Sequence, residues 1–221
     1  MDDGGGASWG NLPIASRQFP LHWSADADKR LRRWLDALLA TPGLTSIRDP
    51  AEASRVHLDE SLEALEVVRQ FEGPIVDVGS GGGAPGIPLA AALPERQVTL
   101  LEANGRKCAF LHEFAREFPN VTVVQGRAEE QETDRFGVAV AKALAPPPVA
   151  VEWCLPLVAP GGAAVLYVGP TAEVAAVSRV SGLLGGGPAE QAPGLLVLPK
   201  LESTPPGFPR RTGVARKRPL A

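Results

Sequence analysis

The feature that most constrains the chain is a glycine-rich stretch behind a short β-branched run. The run at 75–78 contains an acid, Asp77, and leads into five glycines between Gly79 and Gly86. An Ala/Leu-rich segment follows, so the pattern predicts a strand, a tight loop and a helix. Glycine has no Cβ, so this backbone can adopt positive φ and let a ligand lie directly against it. The stretch is typical of the first turn of a nucleotide-binding α/β unit.

A second carboxylate, Glu102, ends the next apolar run at 98–101, 25 positions after Asp77. In Rossmann-type folds, an acid at the end of the second strand accepts hydrogen bonds from ribose hydroxyls. We therefore expect Glu102 to bind a ribose.

Three interpretations of the loop remain open. Glycine at 79 and 81 with alanine at 84 fits both the dinucleotide fingerprint and its methyltransferase version, and the turn could also be structural and bind nothing. A pyrophosphate needs several free N–H groups at the helix N-terminus, and Pro85 and Pro88 each remove one donor there. S-adenosylmethionine carries no phosphate, so the prolines favour it over NAD.

The sequence DVGSGGGAPGIPL at 77–89 resembles the cofactor loop of the bacterial small-subunit ribosomal RNA methyltransferase G family, also called glucose-inhibited division protein B. Its Pro-Gly-Ile-Pro ending is more restrictive than its glycines. Further stretches resemble the family in the same order, at 43–50, 57–62, 100–111, 126–130 and 204–220. The resemblance covers about residues 43–220.

This resemblance implies an α/β class I methyltransferase fold, which is Rossmann-like, with a seven-stranded doubly wound sheet and an N-terminal helical extension. It also implies methyl transfer from S-adenosylmethionine to N7 of a guanosine in the 530 loop of 16S ribosomal RNA. Guanine N7 has an unshared pair and no proton, so the reaction needs no general base. Alignment can contribute about 7–11 kcal/mol, and we expect no catalytic side chain.

The expected cofactor residues lie on the loop and after the following strands. They are Asp77, Gly79, Gly81, Gly83, Ala84, Glu102, Ala128, Glu129 and Lys142. Two positions depart from the family pattern: Lys142 stands where arginine is usual, and Glu60 stands where aspartate is usual in a His-x-x-Asp-Ser sequence. Arginine binds a carboxylate with two parallel hydrogen bonds, whereas lysine acts as a point charge.

The charge distribution indicates RNA as a partner, although the net charge is −3. Binding to nucleic acid depends on neutralising phosphates, and cations cluster near both ends of the chain. One group lies at 29–33 in the first predicted helix. With Lys142, the candidates for RNA contact are Arg210, Arg211, Arg216, Lys217 and Arg218. Each group alone is equally consistent with a solvated surface.

Composition sets the remaining bounds. The chain has 221 residues, of which 44% are hydrophobic, enough for one substantial core. We expect a flexible N-terminus at 1–20, a helical segment at 21–72 that packs on the core, and an S-adenosylmethionine-binding core at 73–221 with a C-terminal hairpin and basic tail. The chain lacks a membrane-length apolar run and a signal peptide pattern, so we expect a cytoplasmic protein. The family resemblance implies action on the 30S subunit, and we expect a monomer. Cys108 and Cys154 have no histidine at metal spacing, which predicts buried free thiols and no metal site.

After the loop, the predicted elements alternate between strand and helix, as a doubly wound sheet requires. Before it, the spacing predicts helices at 26–39, with Asp26 or Asp28 as N-cap, and at 51–71. Predicted strands are 75–78, 98–101, 121–124, 138–141, 163–168 and 195–201, and predicted helices are 89–93, 106–118, 147–157 and 171–184. The glycines at 185–187 are expected to form a hairpin loop.

Two further functions remain open. The chain could be an S-adenosylmethionine-dependent enzyme for a protein or small molecule, with a closed pocket and no basic rim. It could also be a binding protein without turnover that docks on ribosomal RNA, and the departures at Lys142 and Glu60 motivate that alternative.

Overall fold

A computed structural model describes residues 24–221, so the predicted flexible segment 1–20 lies outside the described residues. The strands are β1 (Ile75–Val78), β2 (Val98–Glu102), β3 (Val121–Gln125), β4 (Phe136–Lys142), β5 (Val158–Tyr167), β6 (Glu190–Ala192) and β7 (Leu195–Pro199). They form one seven-stranded sheet in the order β3-β2-β1-β4-β5-β7-β6. Strands β1 to β5 run parallel, whereas β7 is antiparallel to both of its neighbours. The predicted fold class is confirmed.

Helices cover both faces of this sheet, which explains why its central strands are largely apolar, with the buried Asp77 of β1 as an exception. The helices are α1 (Ala25–Ala40), α2 (Pro50–Ser54), α3 (Glu60–Leu62), α4 (Leu65–Val68), α5 (Gly86–Ala92), α6 (Gly105–Ala115), α7 (Pro147–Cys154), α8 (Val174–Leu183) and α9 (Val214–Lys217). Residues of α1, α3, α4, α5 and α6 share one core cluster with Ile75 of β1. Residues of α7 and α8 share the opposite cluster with Val76.

The N-cap of α1 is Ser24, so the prediction of Asp26 or Asp28 was wrong. The Ser24 side chain accepts a hydrogen bond of 3.2 Å from the backbone N–H three residues later. Asp26 and Asp28 instead pair with Arg30 and Arg32, one turn further along the helix. Each ion pair at this spacing stabilises an exposed helix face by roughly 0.2–0.5 kcal/mol.

The single helix predicted at 51–71 is broken by a π-helical turn, Arg55–Asp59. The N–H of Glu60 donates to the carbonyl of Arg55, five residues back, so it is not available to Val56, its partner in a regular α-helix. Lys142 Nζ donates to the Val56 carbonyl instead. The apolar spacing of the segment gave no sign of this extra residue in the turn.

The prediction that the triple glycine forms a hairpin loop was wrong. The hairpin turn lies between β6 and β7, at residues 193–194. Gly186 instead bridges to Lys200, and the N–H of Gly187 donates to the Pro199 carbonyl at 2.8 Å. A Cβ on Gly186 would lie 2.3 Å from Ser181 Oγ, so glycine permits close packing here.

The chain after β7 is held by a buried lysine. Lys200 Nζ donates to the carbonyls of Leu155 and Leu184 at 3.2 and 2.9 Å and to Thr204 Oγ1 at 2.7 Å. Asp134 lies 3.4 Å from the same ammonium. These contacts anchor the start of the tail to the residues that directly follow α7 and α8.

Three smaller observations concern residues 24–221. Cys108 and Cys154 are free and buried, as predicted. No group of three or more His, Cys, Asp or Glu side chains in this range could hold a metal ion. Within the same range, no helix is long and apolar enough to cross a membrane.

Candidate cofactor and substrate site

A cavity of about 360 Å³ opens at the carboxyl ends of β1, β2 and β4. The strand order reverses between β1 and β4, and ligands of open α/β sheets bind at such a switch point. Four of the predicted cofactor residues line the cavity, namely Gly79, Glu102, Ala128 and Glu129. The others do not line it and lie in the surrounding framework: Asp77, Gly81, Gly83, Ala84 and Lys142.

The glycine-rich loop has the backbone geometry that its composition predicts. Gly79, Gly81 and Gly83 have φ values of +74°, +56° and +106°, which only glycine adopts readily. A Cβ on Gly79 would also lie 2.3 Å from the Leu144 side chain. Glycine at 79 therefore suits both this backbone conformation and the close approach of Leu144.

Asp77 fastens the far end of the loop to α5. Its carboxyl is buried, and Oδ2 accepts the Gly86 N–H at 3.0 Å. Burial raises the pKa of Asp77 to about 7, against the opposing effect of the Gly86 and Ser80 hydrogen bonds. Asp77 therefore supports the loop from behind rather than facing the cavity.

The N-terminus of α5 offers no donor to a phosphate. Pro85 and Pro88 have no N–H, the Gly86 N–H is bonded to Asp77, and the Ile87 N–H donates to the carbonyl of Gly83 at 2.7 Å. A pyrophosphate bound here would need such groups free. The structure therefore agrees with the argument that the prolines disfavour NAD.

Glu102 is oriented by two backbone donors. Its side-chain oxygens accept the N–H groups of Gly81 at 2.9 Å and of Asn104 at 2.8 Å, and the residue is 8% exposed. Each carboxylate oxygen retains a second lone pair. The side chain is thus fixed at the cavity wall and can still accept a hydrogen bond from a ribose hydroxyl.

Helix α1 supports the same loop, which sequence reasoning did not reveal. The buried Trp34 donates its indole N–H to the Gly82 carbonyl at 2.8 Å. A Cβ on Gly82 would lie 2.3 Å from the side chain of Leu38. Both side chains were predicted only as members of an apolar helix face.

The chain after β7 contributes the opposite wall of the cavity. In the 3₁₀ turn Ala128–Glu130, the Glu129 carboxylate accepts the Gly213 N–H at 3.0 Å. Arg216 lines the cavity, with its guanidinium carbon 6.0 Å from the centre of the Trp153 ring. The tail was predicted to bind RNA, and its part in the cavity wall was missed.

Lys142 and Glu60, the two departures from the family pattern, are partners. Lys142 Nζ lies 3.0 Å from Glu60 Oε2, and Glu60 Oε1 accepts a hydrogen bond of 2.6 Å from Arg55. His57 lies in the same cluster, with Nε2 3.1 Å from Thr45 Oγ1. Burial, and then the charge of Lys142, lower the pKa of His57, which favours its neutral imidazole.

The predicted RNA-contacting residues of the tail fall into two groups. Arg210 is bonded to the buried carboxylate of Glu152 through two hydrogen bonds of 2.5 Å, so its guanidinium is directed into the protein. The remaining four are exposed: Arg211, Arg216, Lys217 and Arg218.

Comparison with known proteins agrees with this geometry. Residues 29–180 match the model of the GidB family, described as rRNA small subunit methyltransferase G. A Synechococcus elongatus protein named ribosomal RNA small subunit methyltransferase G is 38% identical over 198 residues, which covers 80% of this chain and 82% of that protein. Its Chloroflexus aggregans namesake is 33% identical and covers 96% of this chain and 94% of its own.

Solved structures show the same fold. A 16S rRNA methyltransferase of T. thermophilus, determined with AdoMet and guanosine, superposes with a TM-score of 0.53 at 19% identity and covers 75% of this chain and 43% of its own. A SAM-dependent O-methyltransferase of Thermotoga maritima gives 0.51 at 16% identity, with 78% and 72% covered. Both are class I methyltransferases in architecture.

Proposed function

Because the chain belongs to the GidB family of small-subunit ribosomal RNA methyltransferases G, we propose that it methylates N7 of a guanosine in the 530 loop of 16S ribosomal RNA. S-adenosylmethionine is the methyl donor. The observation that carries the proposal is a cavity with a fixed carboxylate beside a helix whose first turn has no free N–H.

The residues that line the cavity fit this donor. Glu102 would accept hydrogen bonds from the ribose, and the 3₁₀ turn at Ala128 and Glu129 would contact the adenine. Gly79 lines the cavity at a φ of +74°, which favours glycine, so its backbone would lie directly against the ligand. Gly81, Gly83 and Ala84 would act through the loop backbone, with Asp77 and Trp34 holding that loop in place.

S-adenosylmethionine would supply the methyl group from its sulfonium. The N7 lone pair would bond to the methyl carbon, the C–S electron pair would pass to sulfur, and the positive charge would move to the base. The protein need not move a proton. Its residues would act by fixing the two reactants in line and excluding water, and such alignment can contribute about 7–11 kcal/mol.

The proposed RNA surface consists of exposed cations beside the cavity. Arg211, Arg216, Lys217 and Arg218 are exposed on the tail, where they can neutralise phosphates. We propose that this surface docks on the 30S subunit in the cytoplasm, and that the protein acts there as a monomer.

The test is methyl transfer from labelled S-adenosylmethionine to unmodified 30S particles and to their extracted RNA, with chromatographic identification of the product nucleoside. We expect label in N7-methylguanosine. Comparing the rates for 30S particles and for extracted RNA shows which form of the substrate is recognised. Label elsewhere would indicate another substrate. Calorimetric binding of S-adenosylmethionine without any transfer would indicate a binding protein.

A further inference from the structure

The end of the cavity that faces the base can be located from the proposed function, on which this inference rests. With adenine at Ala128 and ribose at Glu102, the sulfonium end of the ligand lies toward Gly79 and Ala143. Lys142 immediately precedes Ala143 at the end of β4. The Lys142–Glu60 pair does not line the cavity itself, but its position places it next to the end at which the target base would approach.

This pair is held rigidly by groups outside it. The π-helical turn frees the Val56 carbonyl, and Lys142 Nζ donates to it. Arg55 binds the Glu60 oxygen that does not face Lys142. The ammonium and the carboxylate are thus oriented before any substrate binds, which reduces the entropy lost on binding.

Both members of the pair keep bonding capacity and access to solvent. The side chain of Lys142 is 16% exposed and that of Glu60 is 30% exposed. An ammonium has three donors, of which the Val56 carbonyl and Glu60 take two. Each oxygen of Glu60 can accept a further hydrogen bond. The pair thus offers a donor and an acceptor about 3.0 Å apart.

We propose that Lys142 and Glu60 read the Watson–Crick edge of the target guanine, with Lys142 donating to O6 and Glu60 accepting from N1–H. Bases in single-stranded RNA loops are commonly read at this edge. The edge lies away from N7, so reading it leaves N7 free to react. Adenine has an amino donor where guanine has O6 and an N1 acceptor where guanine has N1–H. It would therefore set a donor against Lys142 and an acceptor against Glu60.

The proposed contact with Glu60 also favours the reaction itself. Methylation places a positive charge on the base, and this charge makes N1–H a stronger donor. A carboxylate that accepts from N1–H therefore binds the transition state more tightly than the ground state, which raises kcat. Glu60 would thus contribute both to selecting guanine and to the rate.

The test uses 30S particles whose target nucleotide is either guanosine or 2-aminopurine riboside, which lacks O6 and N1–H but retains N7. The measured quantity is the ratio of kcat/KM for the two substrates. In Lys142→Met and Glu60→Gln, we expect kcat/KM for guanosine to fall by roughly 10- to 100-fold, as for the loss of one hydrogen bond to a charged group. The ratio should fall with it, while calorimetric affinity for S-adenosylmethionine stays within about twofold.

Three controls separate base reading from a structural role. Tyr167→Phe removes a different support of the same segment, the hydrogen bond from the hydroxyl to the Ser61 carbonyl, and should leave the ratio unchanged. Glu66→Gln alters an exposed glutamate that pairs with Arg69 and should behave as wild type. Lys142→Arg keeps the donor and should retain most of the selectivity.

The results distinguish this inference from the proposed function. An unchanged ratio in both Lys142→Met and Glu60→Gln would overturn the inference. A reduced ratio in Tyr167→Phe would also overturn it. In either case, wild-type transfer to guanosine N7 would still uphold the proposed function. Absence of wild-type transfer to guanosine would overturn both. Glu60→Gln nearly conserves volume, so the test remains decisive if Lys142→Met does not fold.

Discussion

The indole nitrogen of Trp34 donates a 2.8 Å hydrogen bond to the carbonyl oxygen of Gly82 and so joins the first helix to the glycine-rich loop. Trp34 is buried in the same core cluster as Ile87 of α5. The helix before the sheet is thereby part of the framework of the cofactor cavity, and changes in it should affect ligand binding.

Trp34→Phe should weaken both stability and ligand binding. The change keeps an aromatic ring in the core but leaves the Gly82 carbonyl unpaired, and a lost buried hydrogen bond of this kind costs about 1–3 kcal/mol. Urea unfolding and calorimetric titration with S-adenosylmethionine measure the two effects. Trp153→Phe is the matched control for stability, because Trp153 Nε1 has no hydrogen-bond partner among the described residues. Equal losses of unfolding free energy in Trp34→Phe and Trp153→Phe would contradict the role assigned to the bond between Trp34 and Gly82.

Glu102→Gln should reduce affinity for S-adenosylmethionine by roughly 10- to 100-fold, the effect of losing hydrogen bonds to a charged acceptor. In the wild type, both oxygens of Glu102 accept backbone N–H groups. A glutamine would set its NH₂ against one of them. Calorimetry measures the affinity, and methyl transfer at saturating cofactor should recover much of its rate. Unchanged affinity would mean that the ribose does not lie at Glu102.

Asp77 should make stability depend on pH between about 4 and 7. Folding raises its pKa from 3.8 to about 7, so the folded state holds a proton that the unfolded state has lost in this range. Stability contributed by the neutral carboxyl is therefore fully present below pH 4 and falls as the pH rises to about 7. The upper limit of the loss is about 4 kcal/mol.

Asp77→Asn isolates this effect, since the amide oxygen can still accept the Gly86 N–H. Subtracting its unfolding free energy from that of the wild type at each pH removes the contribution of every other carboxyl. The wild type should lose stability relative to Asp77→Asn as the pH rises from about 4 to 7, and the difference in unfolding free energy should then level off. A difference that does not vary with pH would show that Asp77 ionises normally.

Arg210→Met should destabilise the fold by about 3–5 kcal/mol, because it leaves a buried carboxylate without its partner. Glu152 is 2% exposed and accepts two hydrogen bonds from Arg210. Adding Glu152→Gln should restore most of the loss. Arg211→Met, at an exposed neighbour, should change stability by no more than about 0.5 kcal/mol. Unfolding in urea separates these cases, and similar effects in Arg210→Met and Arg211→Met would contradict the assignment.

The strands of the sheet were predictable because burial on both faces leaves short runs that are mostly apolar and β-branched, even where a single polar residue such as Asp77 interrupts them. The predicted limits of β1 match the structure, and those of β2 and β3 differ by one residue. Strand β6, with the sequence Glu-Gln-Ala, was missed because it has only three residues, two of them polar, and lies at the edge of the sheet. The π-helical turn was missed because one extra residue in a turn barely alters apolar spacing.

The site was predictable only where it is local in sequence. Glu102 could be placed because it ends a strand, and the loop because its glycines lie together. The bond between Trp34 and Gly82 spans 48 positions, and Lys142 and Glu60 come from segments 82 positions apart. No pattern within one segment records such contacts, since they form only when the N-terminal helices pack against the sheet.

The strand order also bears on how the molecule assembles. Ile75 faces Val98, 23 positions later, on one side of β1 and Val138, 63 positions later, on the other. The entropy of closing a loop grows with its length, so the seam between β1 and β4 is the costlier one to join. The cavity spans this seam, from Gly79 on one side to Ala143 on the other. A ligand bound there recognises only the joined sheet and by mass action stabilises this seam.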